Sequence, residues 1–571
     1  MKAFTEPLLS LAGFEEMTKT AEKSSGLISV TGCIDAQKSQ MIYAFGGHRK
    51  NKLIVTFGEQ KARELYDEYS FFDKEVVYYP SKDVLFYQSD IRGNLLTAER
   101  IRALKAIREQ ERVTLVTTFD ALMNTMAPIE KMWENVLTLE QGQLLDLKEI
   151  QAALIRMGYE KEYQVQTMGQ FSVRGGILDV FPLTEENPIR IELWGDEIDT
   201  IRYFDCESQK SIENTDRVSI YPAAELVLSD EEKAGGIDKL KAEAKRVSDK
   251  LRKQMKTEEA HRVTVMADEL TEEWGELSMY AGMDAFLSYF FDERVGLLDY
   301  FKPSDSLIFF DELTRCTEQG KLTETEFSES MKQRLAMGYI LSGQMNGLFT
   351  EKEIVAKLGK YSCIALAALD NKANGLHQLG SYGIHCQSVS PYNNSFELLI
   401  KDLKRYKKNG YRVILLSGSR TRAKRLSEDI TDQGITCFYT ENYDHELSEG
   451  QIMVCYGKVR RGFEYPILKF AVITESDIFG AQQKKKKRHR TYEGEKIQSF
   501  TDLSVGDYVV HENHGLGIYR GIEKLEVDKK VKDYIKIEYQ GGSNLYILAT
   551  QLDMIQKYAG KDARKPKLNK L

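Results

Sequence analysis

The stretch that most constrains the fold is residues 163–205, YQVQTMGQFSVRGGILDVFPLTEENPIRIELWGDEIDTIRYFD. Apolar and polar residues alternate through GQFSVR and IRIELW, the period of strands with one covered and one solvated face. Turn signals at Gly175-Gly176, at Pro182 and at Glu185-Glu186-Asn187-Pro188 break the runs, so the segment reads as a β-meander. If Val173, Ile189, Ile191 and Leu193 face inward, side-chain alternation puts Arg174, Arg190 and Trp194 together on the outer face. Two readings stand at this point. The face is a solvated surface with incidental arginines, or it is a protein-binding hot spot built from arginine and tryptophan.

The sequence further upstream of that meander has a different rhythm. Before it, GLISVTG, NKLIVTF, KEVVYY and RVTLVTTF alternate with charged helical runs, the rhythm of an α/β unit with a mainly parallel sheet. At 571 residues the length allows several such units. The net charge of -8 argues against wholesale coating of nucleic acid, so any DNA contact must come from local basic clusters. The seven cysteines are scattered and form no CxxC pair, which argues against a disulfide framework or a zinc site. The N-terminus MKAFTEPLLSLAGFEEM has no leader-like apolar core, and no apolar run approaches a membrane span. A cytoplasmic, reduced protein without a membrane partner is expected.

Strand GLISVTG runs into Gly32-Cys33-Ile34-Asp35-Ala36-Gln37-Lys38-Ser39 and then a helical run. The spacing is that of the phosphate-cradling G-x-x-x-x-G-K-[ST] loop, except that Gln37 replaces the second glycine. That glycine lets backbone N–H groups wrap phosphates, and an amide side chain there crowds the cradle. Further on, Ser306–Asp311 is an apolar strand ending in Asp311-Glu312, the pattern of a metal-holding acid pair in such enzymes. The two together describe a nucleotide-binding ancestor whose catalytic loop is spoiled.

Residues 381–480 read as a further small α/β unit, with helix, turn and strand in FELLIKDLKRYKKNGYRVILLSGS. Lys484-Lys485-Lys486-Lys487-Arg488 self-repels as a linker and is a candidate phosphate-backbone contact. Residues 498–558 carry about five short strands, as expected of a small SH3- or Tudor-like β-barrel. Within it, Glu523-Lys524-Leu525-Glu526-Val527 has the charge-flanked pattern of a managed sheet edge.

The spoiled loop, the QFSVRGGILDVFP meander and the Asp-Glu strand occur in the order found in the excision-repair subunit UvrB. The chain resembles more closely the UvrB-homology module of bacterial transcription-repair coupling factors, the Mfd family. VVHENHGLGIYRG and NLYI resemble the RNA-polymerase-interacting domain shared with CarD-type regulators. Unlike UvrB, the segment after Val84-Leu-Phe-Tyr-Gln88 leaves no room for a lesion-probing hairpin.

The resemblance implies a multidomain architecture. A degenerate P-loop-like α/β domain (1–120 and 211–380) is split by a β-rich α+β insertion (121–210). A third α/β domain (381–480), a basic linker (481–497), the polymerase-interacting module (498–558) and a basic tail (559–571) follow. It further implies UvrA binding through Arg174, Arg190 and Trp194, the last standing where the family commonly has phenylalanine. It implies pairing with the RNA polymerase β subunit through Leu525, Glu526 and Val527. The chain is thus expected to be the N-terminal, adaptor part of a coupling factor in transcription-coupled nucleotide-excision repair, with no catalytic residue and no metal site of its own. ATP, magnesium and most contact with double-stranded DNA are expected of an ATP-dependent translocase absent from this stretch. Two alternatives remain open. One is a CarD-like transcription regulator, and the other is an ATP-driven DNA motor if Gly32, Gln37, Lys38, Ser39, Asp311 and Glu312 are competent.

Overall fold

The computed structural model describes residues 1–46, 49–82, 94–206, 208–276, 283–369, 375–480, 494–496, 503–511, 515–527, 530–540, 543–548 and 555–558. Its largest element is a parallel sheet of seven strands. Their order is Gln378–Gly383, Gly26–Thr31, Ser362–Leu366, Ser306–Asp311, Asn51–Thr56, Val113–Thr118 and Val77–Tyr79. The inner strands are continuous apolar runs because helices cover both faces of a parallel sheet. Every residue of Ser306–Asp311 and of Val113–Thr118 is buried. The sheet takes strands from both sides of the meander, so the intervening residues form an insertion within one α/β unit.

The insertion carries an antiparallel meander in the order Ser211–Thr215, Glu197–Phe204, Ile189–Trp194, Ile177–Val180 and Gln170–Arg174, with the short Glu160–Lys161 added in parallel. Ile189 and Ile191 face inward, with Val173 and Leu193 partly buried beside them, as the alternation requires. Helix Leu147–Arg156 starts on the Asp146 cap, whose carboxylate accepts from Lys148 N, and lays Leu154 against Phe171 and Leu178. Each such fully buried side chain contributes about 1.5–3 kcal/mol.

A third sheet contains Arg412–Ser417, Ile452–Tyr456 and Phe470–Thr474 in parallel, with Phe463–Tyr465 antiparallel at one side. It does not stand apart. Ile414, Leu416, Met453 and Tyr465 share one hydrophobic core with Ile28, Ile54 and Phe309 of the large sheet. The N-terminal helix Lys2–Leu9 closes this junction, with Ala3 N donating to Tyr443 O at 2.9 Å.

The last sheet is antiparallel, ordered Gly494–Lys496, Ile555–Tyr558, Tyr508–His511, Gly515–Val527, Lys530–Glu538 and Asn544–Leu548. Gly494–Lys496 falls inside the segment expected to be linker, yet it pairs with Ile555–Tyr558. The basic run drew that linker too far, because strand pairing and not local charge sets its end. Lys484–Arg488, the segment Val84–Gln88 and the tail after residue 558 lie outside the described residues. Among the described residues, no helix is long and apolar enough to cross a membrane. The multidomain α/β architecture with its separate β-rich sheets is therefore established.

A buried ionic clamp joins the end of the meander domain to the α/β unit. Glu225 accepts from Arg100 Nε at 2.7 Å and pairs with Lys82 Nζ at 3.0 Å, and Arg100 is fully buried on helix Asn94–Glu109. Burial pushes the Glu225 carboxyl up, but Arg100 and Lys82 outweigh it and hold it at about 2. A folded value below the unfolded 4.5 means the contribution is complete above pH 4.5 and is lost as pH falls towards 2. Acid titration followed by circular dichroism should show this loss. Glu225→Gln should cost about 3–5 kcal/mol at neutral pH, as breaking buried pairs does, and flatten that acid limb. An unchanged acid profile in the variant would remove the clamp from the stability of the protein.

Candidate docking site and vestigial nucleotide loop

The outer face of the meander is ordered in rows across the strands. Ser172, Asp179, Arg190 and Arg202 lie side by side in register, and Arg174, Ile177, Glu192 and Thr200 form the next row. Asp179 is 1% exposed although its side chain points away from the core. Its burial comes from the arginines. Arg190 donates from Nε at 2.7 Å and from Nη2 at 2.8 Å, and Arg174 donates from Nη2 at 2.7 Å. Arg190 also reaches Gln209 and lies over the Phe204 ring. A two-point guanidinium–carboxylate pair of this kind is strong and geometrically fixed.

This corrects the expectation that both arginines stand exposed with the tryptophan. The Arg190 side chain is only 12% exposed and Arg174 34%, because Asp179 holds both down. Trp194, by contrast, is 84% exposed. Asp179 is the residue that reading by alternation overlooked. Its signal was present, as an acid inside the apolar strand ILDV, directly opposite Arg190 once the strands are registered.

Beyond Glu192 the register shifts between Ile189–Trp194 and its neighbour: Glu192 faces Thr200 and Leu193 faces Ile198, so Asp199 is an inserted bulge residue. Trp194 then stands across from Glu197. A cleft of about 700 Å³ opens beside the indole, with Glu197, Asp199 and Arg217 among its walls.

At the loop Gly32–Ser39, Lys38 is 1% exposed and held by Asp311 at 2.6 Å, Glu312 at 2.9 Å and Asp35 at 3.2 Å. Burial alone lowers an ammonium's pKa, but Asp311 and Glu312 raise this one above its ordinary value, so Lys38 is a cation. Gln37 is buried and its amide oxygen accepts from Tyr465 OH at 3.3 Å. Three of the loop's N–H groups already donate within the protein, Gly32 N to Ala368 O, Cys33 N to Ala367 O and Gln37 N to Ile34 O. Gly32 has φ +78, and a Cβ there would lie 2.1 Å from Ile384 O. Glu312 takes a left-handed φ of 61, uncommon outside glycine, while its carboxylate reaches Lys38 and Ala368 N. These residues do not fit a nucleotide. A triphosphate would have to displace carboxylates from the lysine and carbonyls from the backbone donors.

In the C-terminal sheet, Gly515–Val527 pairs with Tyr508–His511 only as far as Ile518, and with Lys530–Glu538 along most of its length. Among the described residues no strand pairs with Ile522–Val527 on its other side. Leu525, Glu526 and Val527 thus lie on the part of Gly515–Val527 that, among the described residues, forms an edge of the sheet. Arg420 and Arg422, at the start of helix Arg420–Asp432, pair with Glu441 and Glu475 respectively. No group of side chains that could hold a metal ion occurs among the described residues.

Two domain families match the chain. The UvrB interaction domain covers residues 137–226, the meander insertion, and the CarD-like/TRCF RID domain covers residues 503–559, the last sheet. The chain is 31% identical to the transcription-repair-coupling factor of Bacillus subtilis (strain 168) over 521 residues, which is 91% of this chain and 44% of that protein. It is 30% identical over 556 residues to that of Staphylococcus haemolyticus, and 29% over 573 residues to that of Staphylococcus aureus (strain USA300). Together the domain matches and these relatives support a transcription-repair-coupling factor. The chain spans less than half the length of these relatives, 44–47%.

Removing Lys38 leaves two carboxylates facing each other in a buried site. Lys38→Ala should therefore cost about 3–5 kcal/mol, read as a lower urea midpoint. Calorimetric titration with magnesium-ATP should give no binding heat. A saturable heat abolished by Lys38→Ala would restore nucleotide function to the loop.

Proposed function

We propose that the chain is the adaptor portion of a transcription-repair-coupling factor. In this reading it grips stalled RNA polymerase through the C-terminal sheet and recruits UvrA through the meander, serving transcription-coupled nucleotide-excision repair in the cytoplasm. The observation that carries it is Trp194, a large aromatic left 84% exposed on the outer face of the domain matched to the UvrB interaction family. Exposed aromatics beside guanidinium groups are the usual anchors of protein interfaces. The last sheet supports the other half of the reading, since the arm Ile522–Val527 offers backbone groups to a strand of the polymerase β subunit. The same sheet is the SH3- or Tudor-like barrel of this reading.

ATP-dependent translocation with magnesium, and most of the grip on double-stranded DNA, belong in this reading to the part of the relatives that these residues do not match. Lys484–Arg488 is a candidate for auxiliary contact with the DNA backbone. The occupied vestigial loop favours this adaptor over a motor built on residues 32–39.

Trp194→Ala and Arg174→Ala are the informative variants, because neither side chain is fully buried. Each should weaken UvrA capture by about tenfold or more, corresponding to at least about 1.4 kcal/mol, and leave polymerase binding intact. Arg190 is less suited, since its loss uncovers Asp179. Leu525→Arg should do the converse by disturbing the arm. Retained polymerase binding in Leu525→Arg, or UvrA binding unchanged in both meander variants, would refute the corresponding half. A promoter effect from residues 498–571 alone would favour the CarD-like regulator.

A further inference from the structure

The meander's outer face is electrically polar along its strands. At one end Asp179 is shared by two guanidinium groups, which leaves a surplus of positive charge, and the neighbouring Arg202 is matched by Glu192. At the other end Trp194 overlooks the cleft of about 700 Å³ whose walls include Glu140, Glu197, Asp199, Asp216 and a single arginine, Arg217. Arg217 pairs with Glu140 at 3.2 Å, and the other three residues have exposed side chains. Leu144 pairs in register with Glu197, which in turn pairs with Trp194, so all three share one side of the sheet. Leu144 is 74% exposed and Trp194 84%. Two large apolar side chains thus flank Glu197, which with Trp194 lines the acidic cleft.

We infer that this cleft takes an arginine or lysine side chain of the docking protein. The indole face of Trp194 would cover the cation, Glu197 and Asp199 would pair with it, and Leu144 would pack its aliphatic stem. The uncompensated charge at this end is negative, and a tryptophan face attracts cations through its ring quadrupole. The cleft is continuous with the arginine rows, about 13 Å away for the four strand residues between Arg190 and Trp194. The complementary surface therefore presents a base at one end and an acid at the other. This inference rests on the meander being the UvrA-docking domain.

The test is titration of UvrA into the full chain carrying Glu197→Lys with Asp199→Lys, beside Glu197→Gln with Asp199→Asn and beside Arg174→Ala. All of the replaced side chains are exposed or half-exposed, and circular dichroism checks that the variants fold. The lysine pair should weaken binding by about tenfold or more, the neutral pair by less, and the neutral pair should also reduce the salt dependence of binding. Unchanged or tighter binding by the lysine pair, while Arg174→Ala still weakens it, overturns the cation cleft and leaves the docking domain standing. No UvrA binding by the unmodified chain overturns the docking reading and this inference with it.

Discussion

The ion cluster of Lys38 with Asp311 and Glu312 is the contact on which the arrangement of the first unit depends. Its lysine comes from the helix after the first strand of the large sheet, and its carboxylates from a strand end 273 residues later. The meander domain and two long helices intervene in sequence, so the cluster joins the two halves of an interrupted unit at the centre of their common sheet. A buried charge is costly alone, and here each partner's cost is offset by the other. The lysine meets anions supplied by the protein itself.

The rest of the loop is likewise held by internal partners. Gln37, in the place of a glycine, packs against Tyr465 of the third sheet, and Gln40 Nε2 donates to the Phe4 carbonyl of the N-terminal helix at 2.5 Å. These contacts lie on the hydrophobic core shared by the first and third units. The contacts that fill the loop are thus the same ones that join the two α/β units.

Much of this was legible in the sequence, for physical reasons. Buried parallel strands such as SLIFFD have to be apolar throughout, and the meander strands have to alternate, so strand type and facing were readable from pattern alone. Gln37 stood out because one position in the phosphate loop tolerates only glycine. The misses were matters of register and partnership. Alternation says which side Arg190 faces but not that Asp179 lies opposite it, because cross-strand pairing is set by the turns and by the neighbouring strands. The bulge at Asp199 breaks the alternation at one residue and is invisible to a period of two. The strand Gly494–Lys496 was obscured because its partner lies some 60 residues away, across the whole β-module.

Along Ile522–Val527 one side of the strand has no pairing strand among the described residues, so in the proposed reading its backbone N–H and C=O groups are what meets a partner. A contact of that kind has an unusual tolerance profile over evolutionary time. Substitutions along either strand that keep side-chain size and polarity leave the hydrogen-bonding groups where they were, whereas a charge placed at Leu525 disturbs the arm. An inserted residue or a proline is another matter, since the first slips the ladder and the second removes a donor. An arm that drifts within those limits would therefore keep its capacity for strand pairing, provided its length is kept.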